Sequence, residues 1–572
     1  MNRVMQTALT TLVTAVAACA GVGFGNQPTA TNNPRFDWFA YEGHDSVYAT
    51  IKPAANEYVN PILSGFYPDP SITRVGNDYY LVNSTFVYFP GIPVHHSTDL
   101  VNWTQIGNVI SRPSQLKFDT LGISRGVFAP SISHHDSTFY VLNTCVDCGG
   151  NFLSTATNPA GPWSEPIWLK EIDGIDPSLF FDDDGRAYIM NNGPPIGTPQ
   201  YSGHRAIWIQ EFDTKTNKLI GPRTMLVNGG VDFSKKPIWI EGPHILKKDG
   251  HYYMTAAEGG TAEGHSQVVL RSETVLGPYV PFKGNPILTQ RNLGAREFPI
   301  TSAGHAELVQ TQNGEWWSIF LATRPYEGDM YNTGRETYLL PVEWVDGWPI
   351  ILKAGEKVPY LHAKPNLPAG AAPAVPTHGD FSLRDEFADT ALAPYWNMIR
   401  TPTEQWYDFR SAPGWLTLKA RNADITKFRQ PSFIGRRQQH LNATASTVMR
   451  YKPAKAGDKA GLLAFQNDLF NYFLAVTLDS SGQAVVRLEQ KNGKETPGNA
   501  AILASKALGK AFSGTIYLRI VARSGLYDFY FSDKPDSWTL LKNNVDGKIL
   551  STKISQGFVG VMFGLYAYSA GK

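Results

Sequence analysis

The sequence is short of cysteine, with 3 in 572 residues. That excludes a scaffold built on disulfides, which needs many paired cysteines in a small chain. It is also short of excess charge: 51 basic residues face 50 acidic ones, for a formal net charge of +1. A nucleic-acid surface needs a basic excess to displace counterions, so none is expected. The pairs Arg436–Arg437 and Lys235–Lys236 are too short to supply one and are expected as solvated surface. Beyond the first two dozen residues, no stretch reaches the roughly 18 unbroken apolar residues of a membrane-spanning helix. Long 3.6-residue periodicity is missing as well, which argues against helical architecture.

The apolar run that does exist stands at the start. Arg3 precedes an uncharged, mostly apolar stretch from Val4 to Val22. Residues 1–25 are therefore read as a signal peptide, and the protein as secreted or periplasmic. Val16-Ala17-Ala18-Cys19 also fits a bacterial lipobox. Two processing routes stay open: cleavage alone, or acylation of Cys19, which would be the chain's only tie to a membrane and would anchor it to the cell envelope. The other cysteines stand in Cys145-Val146-Asp147-Cys148. No second Cys or His pair completes a zinc site, and no βαβ pattern surrounds them as in redox motifs. A local disulfide or two buried thiols shaping a loop is the expectation.

The chain is too long for one core, which stops growing near roughly 250–300 residues. Residues 26–56 read as a linker or N-terminal extension. The Pro/Ala-rich segment 364–378 (KPNLPAGAAPAVPTH) reads as a second linker. Two domains follow, 57–363 and 379–572. In the first, a turn-former followed by aromatics and a short apolar run recurs five times, around Tyr80, Tyr140, Tyr188, Tyr253 and Trp317. Turn dipeptides such as Asp249-Gly250 and Asn313-Gly314 are hairpin signals. Five such units predict an all-β, five-bladed β-propeller. The second region alternates short strand-like runs with turns, as in Gly414–Leu418 and Gly557–Val561, and predicts a β-sandwich.

The repeats carry an internal register. Ahead of each aromatic unit stands the strand that should be innermost in its blade. Asp69, Ala129, Asp176, Glu241 and His305 occupy equivalent places in those strands. Equivalent inner positions of a propeller converge on one end of the central channel, so three carboxylates and a histidine are expected in one pocket. Taken singly, Asp69-Pro70 and Asp176-Pro177 would read as turns. Their coincidence in register overturns that reading, because gathered ionisable groups shift each other's pKa. Two carboxyl groups, one protonated and one ionised, are what glycosidic cleavage uses. The run Phe181–Gly185 lacks the spaced ligands of a calcium loop and is read as a turn. His95–His96 and His134–His135 have no metal-ligand context and are expected at the surface.

Tyr67–Ser71, Gly174–Ser178, Trp239–His244, His305–Gln310, Arg335–Thr337 and Pro341–Trp344 together resemble the signature blocks of glycoside hydrolase family 43. The resemblance covers about residues 57–361. It implies a five-bladed propeller and an inverting mechanism, with Asp69 as general base, Glu241 as general acid and Asp176 as the carboxylate that orients the acid and tunes its pKa. It further implies substrate-binding roles for Arg324, Phe86, Phe128 and Thr261. No cofactor is required for the chemistry, but a structural calcium ion is implied near His305. The sandwich resembles the concanavalin-like, jelly-roll domain that follows β-xylosidase propellers and narrows their pocket with a loop, for which Asn467–Tyr472 is a candidate. The expected substrates are xylo- and arabino-oligosaccharides, cleaved at terminal β-D-xylosyl or α-L-arabinofuranosyl residues. An endo-acting arabinanase and a non-catalytic carbohydrate-binding propeller are the competing readings.

Overall fold

A computed structural model describes residues 33–496 and 500–571. The expected signal peptide and Cys19 lie outside the described residues.

Five antiparallel sheets stand around an axis. Their innermost strands are Ser71–Val75, Ser131–His135, Ile175–Phe181, Glu241–Lys248 and Thr301–Gln310. Each pairs with the aromatic-bearing strand predicted beside it: Asp78–Val82, Thr138–Val146, Ala187–Gly193, His251–Glu258 and Trp316–Thr323. The hairpins form where the turn chemistry allows. At Asp249-Gly250 both residues are left-handed, with φ of 51° and 78°, the twist that matches two right-twisted strands. Side chains then stitch neighbouring blades. Ser71 Oγ donates to Glu307 of the fifth blade at 2.6 Å and accepts from the Ile132 N–H of the second at 2.9 Å. Ser133 Oγ donates to the Leu179 carbonyl, and Ser178 Oγ to that of Pro243. Glu57–Val59 pairs with Leu361–Ala363, tying the ends of the propeller region together.

The second region is a sandwich of two eight-stranded sheets. One takes its inner strand from the far end of the chain: Arg35–Gly43 lies between Phe381–Asp385 and Asn442–Arg450. This corrects the reading of 26–56 as linker. A bulge between Phe36 and Trp38 puts Phe36 and Phe39 on one buried face, so the two-residue alternation that marks a strand is broken. The other sheet borrows Tyr88–Phe89 from the propeller's first blade, paired with Asn397–Ile399. One apolar core accordingly runs through both domains, from Phe66 and Phe86 to Phe563.

That junction also overturns the surface assignment of Arg436 and Arg437, which are 1% and 4% exposed. Arg437 donates to the Phe66 carbonyl and to Asn397 Oδ1, and its guanidinium lies 4.2 Å from the Tyr67 ring centre. Arg436 lies 4.4 Å over Tyr41. Aromatic faces and carbonyls replace the water these cations lose. Lys235 does stand in solvent. His95 is buried against Tyr67, and burial pushes its pKa down to about 3. Segment 364–378 is strapped to the propeller, with Gly370 N–H on Asp99 and the Thr377 carbonyl on Ser64 N–H. Cys145 and Cys148 form a disulfide in the second blade's hairpin.

Candidate active site

The inner strands do more than converge. Asp69, Asp176 and His305 have φ of 51°, 54° and 52°, and Gly242 beside Glu241 has φ of 55°. Strand pairing slips at the last three of these places, between Ile175 and Ser178, between Thr301 and Glu307, and between Glu241 and His244. A left-handed residue at a bulge turns its side chain out of the strand's alternation. Here that turn aims it at the axis. Gly242 is required on a second count: a Cβ there would come within 2.9 Å of the His305 ring.

A cavity of about 360 Å³ opens at this end of the axis. Asp69, Asp176, Glu241 and His305 all line it, as the register predicts. Asp69 is gripped on both oxygens. Ser84 Oγ donates to one at 2.5 Å, and Arg335 donates to both, at 2.7 and 3.3 Å. Burial pushes this carboxyl up, but the Arg335 charge and the Ser84 hydroxyl outweigh it and hold Asp69 below the ordinary 3.8. Asp176 accepts from the Gly242 N–H at 3.1 Å. Burial and the negative charge of Asp69 push it up to about 7. Glu241 rises well above its usual value, from burial first and then from Asp176 and Asp69. The site therefore holds Asp69 ionised and favours a proton on the Asp176–Glu241 pair, the division of labour that acid–base cleavage needs. Burial pushes His305 down to about 4, leaving a neutral imidazole at neutral pH.

Asp176, Glu241 and His305 present ligand atoms within 4.8 Å of one another. A calcium ion beside His305 would have to draw most of its 6–8 oxygen ligands from water, since the set offers two carboxylates and one nitrogen.

The substrate-binding expectations divide. Phe86, Phe128 and Thr261 line the cavity. Arg324 does not. It is 1% exposed and donates to both oxygens of Glu336, at 2.6 and 2.8 Å, and to Asp45 at 2.6 Å, on the sandwich side of the propeller. The arginine of the cavity is Arg335, which also reaches Thr261 Oγ1 at 3.2 Å. Arg324 and Arg335 flank the last turn of the fifth blade, and sequence spacing does not say which points inward. The loop expectation also moves. Asn467–Tyr472 is a hairpin within the sandwich sheet, whereas Phe558 enters the cavity. Its ring stacks on Phe86 at 5.7 Å and meets Phe128 edge-on at 5.8 Å. The run Gly557–Val561, expected as strand, is the loop that carries it. Trp239 and Ser84 complete the set that sequence reasoning missed; Trp239 stands inside a quoted signature block, two residues before Glu241.

Comparison with known proteins places these features in a family context. The family model for glycosyl hydrolases family 43 matches residues 58–349. That for the beta xylosidase C-terminal concanavalin A-like domain matches residues 384–572. A xylosidase/arabinosidase of Butyrivibrio fibrisolvens is 40% identical over 517 residues, covering 90% of this chain and 96% of that protein. A non-reducing end alpha-L-arabinofuranosidase of Bacteroides ovatus is 36% identical over 529 residues, covering 92% and 94%. Among solved structures, a GH43_12 protein retrieved from a capybara gut metagenome superimposes with a TM-score of 0.86 at 38% identity, covering 94% of this chain and all of that one.

Proposed function

The chain belongs to glycosyl hydrolase family 43, whose enzymes invert, and from that premise we propose how its cavity works. It is a glycosidase of the xylosidase/arabinofuranosidase group acting on hemicellulose oligosaccharides. Glu241 serves as general acid: its proton, retained through burial and the Asp176 and Asp69 charges, passes to the departing oxygen. Asp69 serves as general base: ionised by Arg335 and Ser84, it takes a proton from the water that attacks the anomeric carbon. Asp176 keeps Glu241 protonated and, through the Gly242 N–H, fixes the backbone beside it. Thr261 and Arg335 face the sugar's hydroxyls, and Phe86, Phe128 and Phe558 wall its apolar faces. His305 stands as a neutral ring beside the acid pair.

One observation carries the exo reading: Phe558, from the other domain, stacks across the cavity's aromatic wall. An endo-acting arabinanase needs an open groove running past the acid, and Phe558 stands in its path. A pocket built this way accepts a chain end. β-D-Xylose and α-L-arabinofuranose present similar hydroxyl geometry, and the relatives' names include both activities. The test is kcat/KM on aryl β-D-xyloside and aryl α-L-arabinofuranoside side by side. Release from either supports the exo reading and names the sugar. Release from neither, with cleavage inside linear arabinan, sinks it.

Export is part of the same proposal. Its support is the apolar Val4–Val22 run and the Cys145–Cys148 disulfide, a bond that persists in oxidising compartments. Acylation of Cys19 would hold the enzyme at the cell envelope.

A further inference from the structure

The mouth of the cavity is apolar where a soluble surface should be polar. Ile238 is 54% exposed and Trp239 36%, side by side on the loop that enters the fourth blade. Both line the catalytic cavity. Contiguous apolar surface rimmed by polar groups marks a ligand groove. The backbone is strained to put it there: Trp239 has φ of 58°, a conformation that bulky residues avoid. Its N–H is tied to the Gly203 carbonyl at 2.9 Å.

The indole is also braced. The Arg205 guanidinium lies 4.8 Å from its ring centre. Arg205 is itself fixed by two hydrogen bonds to Asn192 Oδ1, at 3.1 and 2.9 Å. Asn192 is fully buried and donates to the Ile240 carbonyl, the residue between Trp239 and Glu241. One chain of contacts, Asn192 to Arg205 to Trp239, thus sets an aromatic plane at a fixed place next to the acid. The group nearest the acid in the reaction is the leaving group, since Glu241 must reach the oxygen it protonates.

We propose that Trp239, braced by Arg205, is the platform on which the leaving sugar rests. The occupant is a pentose ring of the remaining chain, laying an apolar C–H face on the exposed part of the indole. This rests on the glycosidase reading above and deepens it. It makes Trp239 a specificity-determining residue for the leaving group.

The experiment compares two donors with the same glycon: β-1,4-xylobiose, which leaves a pentose, and β-D-xylosyl fluoride, which leaves a single ion. In Trp239→Ala, kcat/KM on the disaccharide should fall about tenfold or more further than kcat/KM on the fluoride, as for loss of one stacked ring. Inhibition by free xylose should weaken in the same variant. Trp239→Phe separates platform from hydrogen bond, because the indole N–H faces the Glu241 carboxyl. Phe keeps the plane and should keep most of the disaccharide rate. Equal losses on both donors, no loss on the disaccharide, or a Phe variant as slow as the Ala variant would each overturn the platform. If the unmodified enzyme turned over neither xylosyl donor but did release arabinofuranose, the same comparison with arabinobiose and arabinofuranosyl fluoride would decide it. If it turned over no pentosyl donor at all, the glycosidase reading would fail along with the platform.

Discussion

The two domains bury charge in opposite ways. In the propeller's channel, Asp69, Asp176 and Glu241 crowd together, Arg335 ion-pairs with Asp69, and the other two carboxyls are pushed up. At the junction with the sandwich, the buried cations Arg324 and Arg400 meet carboxylates, while Arg436 has ring faces and Gln439 Oε1. Arg324 has Glu336 and Asp45, Arg400 has Asp468 at 2.9 and 3.0 Å, and Arg437 has carbonyl oxygens and an aromatic face. Unmatched charge costs stability and yields shifted pKa values; matched charge fixes one domain against the other. The difference separates a site that must react from a joint that must not move.

The largest test of this contrast removes the channel's chemistry and leaves its shape. Glu241→Gln and Asp69→Asn should each lower kcat on an unactivated disaccharide by about 10³-fold. Thermal unfolding of Glu241→Gln should stay near that of the parent, since it relieves like-charge crowding, whereas Asp69→Asn leaves the buried Arg335 without its carboxylate and should unfold at lower temperature. A variant with near-parental kcat would remove that residue from its role.

Next in size is the joint. Arg324→Ala leaves Glu336 and Asp45 buried without their cation and should cost about 3–5 kcal/mol in denaturant unfolding. The kcat/KM of the folded fraction should not change. A selective rise in KM would restore Arg324 to the substrate site.

The pH profile sharpens the same contrast. Glu241 and Asp176 are raised, so the active, protonated form is lost as pH climbs through their shared titration. Above that raised titration, kcat/KM should fall roughly tenfold per unit. Asp69 is lowered, so the base fails only as pH drops below the ordinary 3.8. A loss already complete at pH 5 on the alkaline side would contradict the raised acid.

The smallest effect concerns Phe558, which the sandwich lends to the site. Phe558→Ala should reduce kcat/KM on short substrates by about tenfold or less, through loss of one aromatic wall. It should also open the cavity to longer, branched chains. Unchanged rates would leave the sandwich with a structural role alone.

Much of the site was legible because the propeller repeats. Five hairpin units fixed a register, and the register alone brought Asp69, Asp176, Glu241 and His305 together. Arg324 was misplaced because two arginines flank one turn, and only the packing of Glu336 against the sandwich decides which points outward. Arg35–Gly43 was hidden by a bulge, and Phe558 by its place in a loop with no regular pattern. The burial of Arg436 and Arg437 was invisible for a related reason, since charge reads as surface until a second domain covers it.

By itself, then, the sequence determined the number of blades, the two-domain division and the identity of the converging carboxylates, because these follow from local turn chemistry and a repeated pattern. The tertiary structure alone decided which carboxyl keeps its proton, which arginine meets Asp69 and which residue of the far domain closes the pocket. Those depend on distances and burial between segments hundreds of residues apart, and electrostatic and packing energies act through space, whatever the order of the chain.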